Sequence, residues 1–353
     1  MAEAVPLPVV AEDAAADRRR TADRVFWGAA SFNAALTLYW LYTLASGRTS
    51  IFFRNYKVDK EALLQVFFGI LFFYVIWGFI WWGIKTLLLR FFVGFPKDER
   101  RRSFSSRMRE PYEVGAIVAR YSERRIRIAD MVGRRGRFIT MAFAAFFYLY
   151  SEVMLKPETF AAGFLQNSLF DAVVRSWIFL GFYYLDGFLA ALFYGAQSRV
   201  MDGVLARANC LLITTLWSAF NFVMVPLGLV LTRVFPPGEL AAVFAMIWGS
   251  YIACDASAEI IGAFIGRQKL RVWGMGDVNR KSVAGTVAGF IAALALCLWV
   301  VSLQNLGWPW VALSVVIALS NTVLELYSPR GTDDFTMATG SALICLAFGA
   351  WLH

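Results

Sequence analysis

Histidine is almost missing from this chain. The one residue of that type, His353, is the last, so histidine acid–base catalysis and histidine zinc sites are excluded from its interior. Cysteine is sparse as well. Cys210, Cys254, Cys297 and Cys345 are scattered through apolar runs without metal-ligand spacing, which excludes a disulfide framework and a cysteine zinc site. The long apolar runs show no period-two alternation, which excludes a transmembrane β-barrel. A Walker A loop is also absent, because no Gly-Lys-Ser/Thr follows a four-residue gap after a glycine. Residues 1–17 are rich in Ala, Pro, Glu and Asp and lack a basic n-region. They read as a disordered tail, extending to about residue 23, with no removable signal peptide.

What is present is hydrocarbon. Of the 353 residues, 59% are apolar and 16% aromatic, too many for a set of soluble domains of this length. Runs of about 20 apolar residues match helices that cross a bilayer core. Nine are read, near 24–46, 62–90, 137–155, 169–196, 204–233, 239–264, 283–304, 309–326 and 335–352. The predicted fold is an all-α polytopic bundle. It divides into the N-terminal tail, a pair of spans over 24–94, a basic connector over 95–136 and a seven-helix domain over 137–353. The four cysteines then read as small core residues.

The net charge of +9 is unevenly placed. Arginines crowd residues 18–24 and 100–135, and Arg267, Lys269, Arg271, Arg280 and Lys281 form a third basic group. Alternating nine spans puts all three on one side, so positive-inside bias predicts a cytoplasmic N-terminus. The excess therefore reads as topology and contact with anionic membrane lipids, with no nucleic acid partner. Such a chain is a multi-pass integral membrane protein, of the inner membrane if bacterial. A homo-oligomer is compatible with it. Within the connector, Tyr112, Val114, Ile117, Val118, Tyr121 and Ile126 recur at near-helical spacing among arginines. This predicts an amphipathic helix on the inner headgroup layer, with a lid docked over the cytoplasmic face as the alternative.

Ionisable residues inside spans are costly and mark functional sites. Asp255 and Glu259 are four apart, on one face of the sixth span, with Gly262 and Gly266 close to the same face. Asn321 and Glu325 repeat the spacing in the eighth span, and Asp333 and Asp334 open the ninth. Magnesium prefers a few carboxylates completed by phosphate oxygens and water, which makes Asp255, Glu259, Glu325, Asp333 and Asp334 candidate metal ligands. Arg267, Arg280, Lys281, Ser282, Gly285 and Thr286, beside a segment with Gly274 and Gly276, supply a basic, hydroxyl-bearing helix start suited to phosphate. The same charges also fit plain ion pairs that glue a bundle, and both readings stand on the residues alone. Asp186 reads as cavity-facing or as a helix–helix contact, and the i, i+4 pair Asp171 and Arg175 reads as structural. Trp77, Trp81 and Trp82 read as lipid anchors.

The order Asp255-x-x-x-Glu259-x-x-Gly262-x-x-x-Gly266-Arg267, then Arg280-Lys281-Ser282-x-x-Gly285-Thr286, then Glu325 and Gly331-x-Asp333-Asp334, resembles the CTP-dependent polyprenol kinases. That family includes the phytol, dolichol and yeast-type diacylglycerol kinases and is related to the phosphatidate cytidylyltransferases. The resemblance runs from Cys254 to the last span. It implies activity at Asp255 and Gly262 and nucleotide handling by Lys281, Ser282 and Gly285. It also implies CTP as donor, Mg²⁺ as cofactor and a long-chain lipid alcohol as acceptor. The expected catalytic set is Asp255, Glu259 and Lys281. The alternatives are a CTP-dependent lipid-phosphate cytidylyltransferase, and a transporter or scaffold with a degenerate site.

Overall fold

The computed structural model describes residues 9–45, 76–95, 117, 120–136, 173–185, 192–195, 197–272, 280–328 and 332–353. Within them the chain is helical apart from one short ribbon. Helix α1 covers Val9–Ala45. It begins inside the stretch expected to be a disordered tail, so that expectation is corrected for residues 9–23. Alanine is the strongest helix former, and Ala14, Ala15, Ala16 and Ala22 extend the helix through this polar start. Helix α2, Gly78–Leu88, runs on as a π-helical turn, Leu89–Val93. It ends at Gly94, whose φ of 94° is a left-handed conformation that glycine adopts without penalty. Helices α3 (123–136) and α4 (173–181) follow. A 3₁₀ turn, Val200–Leu205, then leads into α5, Ala206–Val234.

The remaining elements carry the predicted site. They are α6 (Pro237–Phe264), β1 (Lys269–Arg271), β2 (Arg280–Ser282), α7 (Val283–Leu303), α8 (Trp308–Tyr327) and α9 (Asp333–Leu352). Pro237 starts α6 at a position where its missing N–H costs nothing. Asp333 and Asp334 lie in the first turn of α9, where carboxylates suit the helix dipole. The basic loop after α6 holds an antiparallel ribbon pairing Lys269 with Ser282, Leu270 with Lys281 and Arg271 with Arg280. In β1, half-buried Leu270 alternates with exposed Lys269 and Arg271, the period expected of a strand covered on one face.

Among the described residues, four helices are long and apolar enough to cross a membrane: Gly238–Phe264 within α6, then α7, α8 and α9. They coincide with the predicted spans at 239–264, 283–304, 309–326 and 335–352. Helix α6 is the axis of this group, since 61% of its spanning window is buried against 28% in α7. The core joins Tyr251 and Cys254 of α6 to Ala293 and Cys297 of α7, Ile317 and Ala318 of α8, and Met337, Ala338 and Cys345 of α9. All four cysteines are free and buried, as expected of small core residues. Outward faces carry Ile291, Trp299, Leu319 and Val323, an exterior suited to hydrocarbon. The predicted span at 137–155 lies outside the described residues, as do residues 62–75 of the span at 62–90, part of 169–196, and residues 96–116 of the connector.

Close approach of α6 and α7 sets the geometry of the site. A Cβ on Gly285 would lie 2.5 Å from the Ala258 carbonyl oxygen, so only glycine permits this crossing. Its consequence is that the ribbon, the start of α7 and the end of α6 meet at one end of the bundle. The end of α8 and the start of α9 reach the same place.

Candidate functional site

A cavity of about 150 Å³ opens at that end. Its wall includes Asp255, Glu259 and Gly262 of α6, Lys281 and Ser282 of β2, Gly285 and Thr286 of α7, Glu325 of α8 and Asp333 of α9. Residues predicted from four separate stretches are thus brought together around one space.

Helical spacing explains the α6 wall. Asp255 and Glu259 project from successive turns of one face, and both are held by arginines of α3. Arg135 donates from Nη2 to Asp255 Oδ1 at 2.7 Å, from Nη1 to Asp255 Oδ2, and from Nε to Glu259 Oε2. Arg134 reaches Glu259 Oε1 at 2.8 Å, and Arg199, just before the 3₁₀ turn, reaches the same oxygen at 3.3 Å. Burial disfavours the Arg135 charge, but Asp255 and Glu259 overcome it and hold the guanidinium above its ordinary range. Arg199 is likewise raised: burial opposes its charge, and Glu259 and Asp202 together outweigh it. Arg134 is lowered by burial and by repulsion from Arg199.

The opposite wall is centred on Lys281. Its Nζ lies 2.8 Å from Glu325 Oε1 and 3.4 Å from Asp333 Oδ2, and it also donates to the Glu325 carbonyl oxygen. Burial works against this ammonium, yet Asp333 and Glu325 raise it above its ordinary value. Asp255, Glu325 and Asp333 each offer an oxygen within 4.8 Å of the others, a donor set that fits a small divalent cation. At present the charge at its centre is the protein's own ammonium. Glu259 and Asp334, expected among the metal ligands, do not join this group: Glu259 is occupied by arginines, and Asp334 stands beside Asp333 with its Oδ1 buried and unpartnered among the described residues.

Several expected phosphate ligands have structural work to do. Ser282 caps α7, its Oγ accepting from the Gly285 N–H at 3.1 Å. The same hydroxyl fills a notch left by Gly262 and Gly266, where a Cβ at either position would collide with it. Thr286 lines the cavity with a buried hydroxyl that has no partner among the described residues. Arg267 is exposed and lies off the cavity wall, although Lys269, two residues on, lines it. Arg280 is placed by its backbone at the start of β2, and its side chain lies outside the described residues. Gly274, Gly276 and Asp186 also lie outside them.

Asn321 shares a helix face with Glu325 but belongs to another network. Its Nδ2 donates to Ser250 Oγ at 2.8 Å and its Oδ1 accepts from Ser341 at 2.9 Å, tying α6, α8 and α9 together deeper in the bundle.

The principal correction concerns the connector. Over residues 123–136 the connector is a helix docked over the site, which is the lid alternative; Tyr112, Val114 and Val118 of the expected amphipathic pattern lie outside the described residues. Ile126 and Ala129 are fully buried, and Arg124 donates to the Phe264 carbonyl oxygen at 2.7 Å. Once the helix is docked, lifting it away would strand the buried charges of Arg135 and Asp255, which keeps it in place. Arg134, Arg135 and Arg199 were therefore missed as site residues. One signal was available for two of them: Gly133 and Gly136 bracket the arginine pair. A Cβ on Gly133 would lie 2.8 Å from Lys85 Cδ, and one on Gly136 would collide with Trp81. The glycines let α3 lie close on α2.

Comparison of the chain with protein-family models, curated proteins and solved structures gives no match.

Proposed function

We propose that this chain is an integral-membrane phosphotransferase that transfers the γ-phosphate of CTP to a long-chain lipid alcohol, isoprenoid in character. The observation that supports it best is the cavity itself. At the polar end of four membrane-length helices, carboxylates that fit a divalent cation face arginines and a lysine that fit phosphate. The resemblance of the segments around Asp255, Lys281 and Asp333 to the CTP-dependent polyprenol kinases names the donor and the acceptor class.

Phosphoryl transfer asks a protein chiefly for positioning and for charge opposite the transferred group. Mg²⁺ held by Asp255, Glu325 and Asp333 would neutralise phosphate oxygens. Lys281, leaving those carboxylates, is within reach of the same phosphate. Glu259 balances the charge of Arg134, Arg135 and Arg199 beside the cavity. One of the wall carboxylates, Asp255, Glu325 or Asp333, would orient the acceptor hydroxyl or accept its proton. The apolar outer faces of α7 and α8 let a lipid alcohol approach from the side. Nine spans with a cytoplasmic N-terminus would place the cavity where nucleotide is available.

The test is a panel of lipid alcohols with radiolabelled CTP, ATP and GTP, using purified protein in detergent. Lipid phosphate plus CDP is the expected product pair. Release of pyrophosphate with a CDP-lipid would instead identify a cytidylyltransferase. No turnover with any nucleotide or acceptor, from protein that is folded and monodisperse, would overturn the enzymatic reading.

A further inference from the structure

Ion pairs line two walls of the cavity. On one wall, Arg134, Arg135 and Arg199 face Asp255 and Glu259; on the other, Lys281 faces Glu325 and Asp333. Arg127, Lys269, Asp130 and Asp202 also line the cavity, with Asp130 paired to Lys85. Among the pairs just named, three guanidinium groups meet two carboxylates toward α3 and one ammonium meets two carboxylates toward α8. A site polarised in this way favours a ligand with the opposite polarity, a polyphosphate carrying a divalent cation, over a bare anion of the same size.

We propose that Arg135 and Arg199, which line this cavity, are its polyphosphate-binding wall, supported by Arg134 behind them on Glu259, with Asp255 and Glu259 as internal placeholders that phosphate oxygens replace. The inference rests on the reading of the cavity as a metal–nucleotide site and adds ligands that the sequence motifs do not contain. Guanidinium groups take carboxylate and phosphate with the same paired hydrogen bonds, and Arg135 already uses both Nη atoms on Asp255. All three arginine side chains are largely buried, at 14%, 9% and 21% exposure for Arg134, Arg135 and Arg199. Buried guanidinium groups need a counter-anion at all times. Glu259 fills that need for all three at once and shares no oxygen with the carboxylate group around Lys281. The exchange is reciprocal: when Arg135 moves to phosphate, Asp255 is released to face a cation alongside Glu325 and Asp333. Loading of the two walls is thereby coupled.

The experiment is titration calorimetry of the full-length protein in detergent with magnesium tripolyphosphate, which carries no base or sugar. Arg135→Gln and Arg199→Gln are each expected to weaken binding about tenfold or more, the range of a lost charge-assisted contact to an ion. Arg233→Gln, at the far end of α5, is expected to leave it unchanged. Glu259→Gln separates exchange from simple scaffolding: removing the competing carboxylate should tighten tripolyphosphate binding several-fold while lowering thermal stability. Tripolyphosphate binding that survives both arginine substitutions, or that weakens in Glu259→Gln, would overturn the proposal. Kinase activity alongside such arginine-independent binding would leave the phosphotransferase reading standing without it. Arginine-dependent binding with no transfer to any alcohol would do the reverse.

Discussion

Arg135 and Asp255 form a two-pronged ion pair across 120 residues of sequence, with Arg135 Nη2 2.7 Å from Asp255 Oδ1 and its Nη1 on Oδ2. The pair fastens α3 to the axis of the bundle. Each side chain is 9% exposed, so neither charge has water to fall back on if its partner is removed. Arg135→Met is expected to cost about 3–5 kcal/mol, the usual penalty for stranding one half of a buried pair. Asp255→Asn should cost less, because Glu259 still holds the guanidinium through Nε. A double-mutant cycle read by thermal unfolding in detergent checks this. Strict additivity of the two substitutions would show that the pair is not formed.

The α6–α7 crossing gives a second prediction. At Gly285 the obstructing atom is a backbone carbonyl oxygen of Ala258, which cannot rotate away as a side chain does. Gly285→Ala is therefore expected to force the helices apart and to destabilise by about 1–3 kcal/mol, as other overpacked cores do. Gly83, in α2, has nothing within 4 Å of an added Cβ. Gly83→Ala should be neutral or stabilise by about 0.5–1 kcal/mol through helix propensity alone. Equal melting temperatures for the two variants would contradict the crossing described here.

These two positions also show what was legible in the sequence. Gly285, Asp255, Glu259, Lys281, Glu325 and Asp333 stand out because small or ionisable residues are costly within apolar runs, and helical spacing places neighbours on one face. That reasoning works within a single helix. It says nothing about which distant arginine meets Asp255, because the arginines of 123–136 satisfy the positive-inside rule wherever their side chains point. Glu259 was grouped with the metal ligands for the same reason. Periodicity put it beside Asp255, and only the packing of α3 shows that its oxygens are taken. Asn321 was paired with Glu325 by spacing, whereas the depth of each along α8 decides their different partners.

Lys281 supports a pH prediction. Burial opposes its charge, but Asp333 and Glu325 hold the folded-state value above the ordinary 10.5. A cation with a raised value contributes stability that is fully present below the unfolded-state value and lost as pH rises through the folded one. The melting-temperature advantage of the native protein over Lys281→Met should therefore stay constant across neutral and mildly alkaline pH. It should shrink only above about 10.5. A decline centred near neutrality would mean that Lys281 is not held by these carboxylates.

A second buried pair sets the position of the arginine wall. Lys85 of α2 is fully buried, 2.9 Å from Asp130 Oδ1, and also donates to the carbonyl oxygens of Gly195 and Ser198. Asp130 Oδ2 accepts from the Val200 N–H at 2.9 Å. One lysine and one aspartate thereby join α2 and α3 to the turn that carries Arg199. Burial raises the Asp130 carboxyl above its ordinary range even with Lys85 beside it, so the charge depends on that partner. Lys85→Met is expected to cost about 3–5 kcal/mol, and Lys85→Met with Asp130→Leu should recover part of that loss, since an apolar pair leaves no stranded charge. The double variant should still bind magnesium tripolyphosphate more weakly than the native protein, because the Val200 N–H loses its acceptor and Arg199 its fixed position. Unfolding and calorimetry on the same samples separate the two effects. Restored stability with fully native binding would show that Arg199 is positioned by something other than the Asp130 contact.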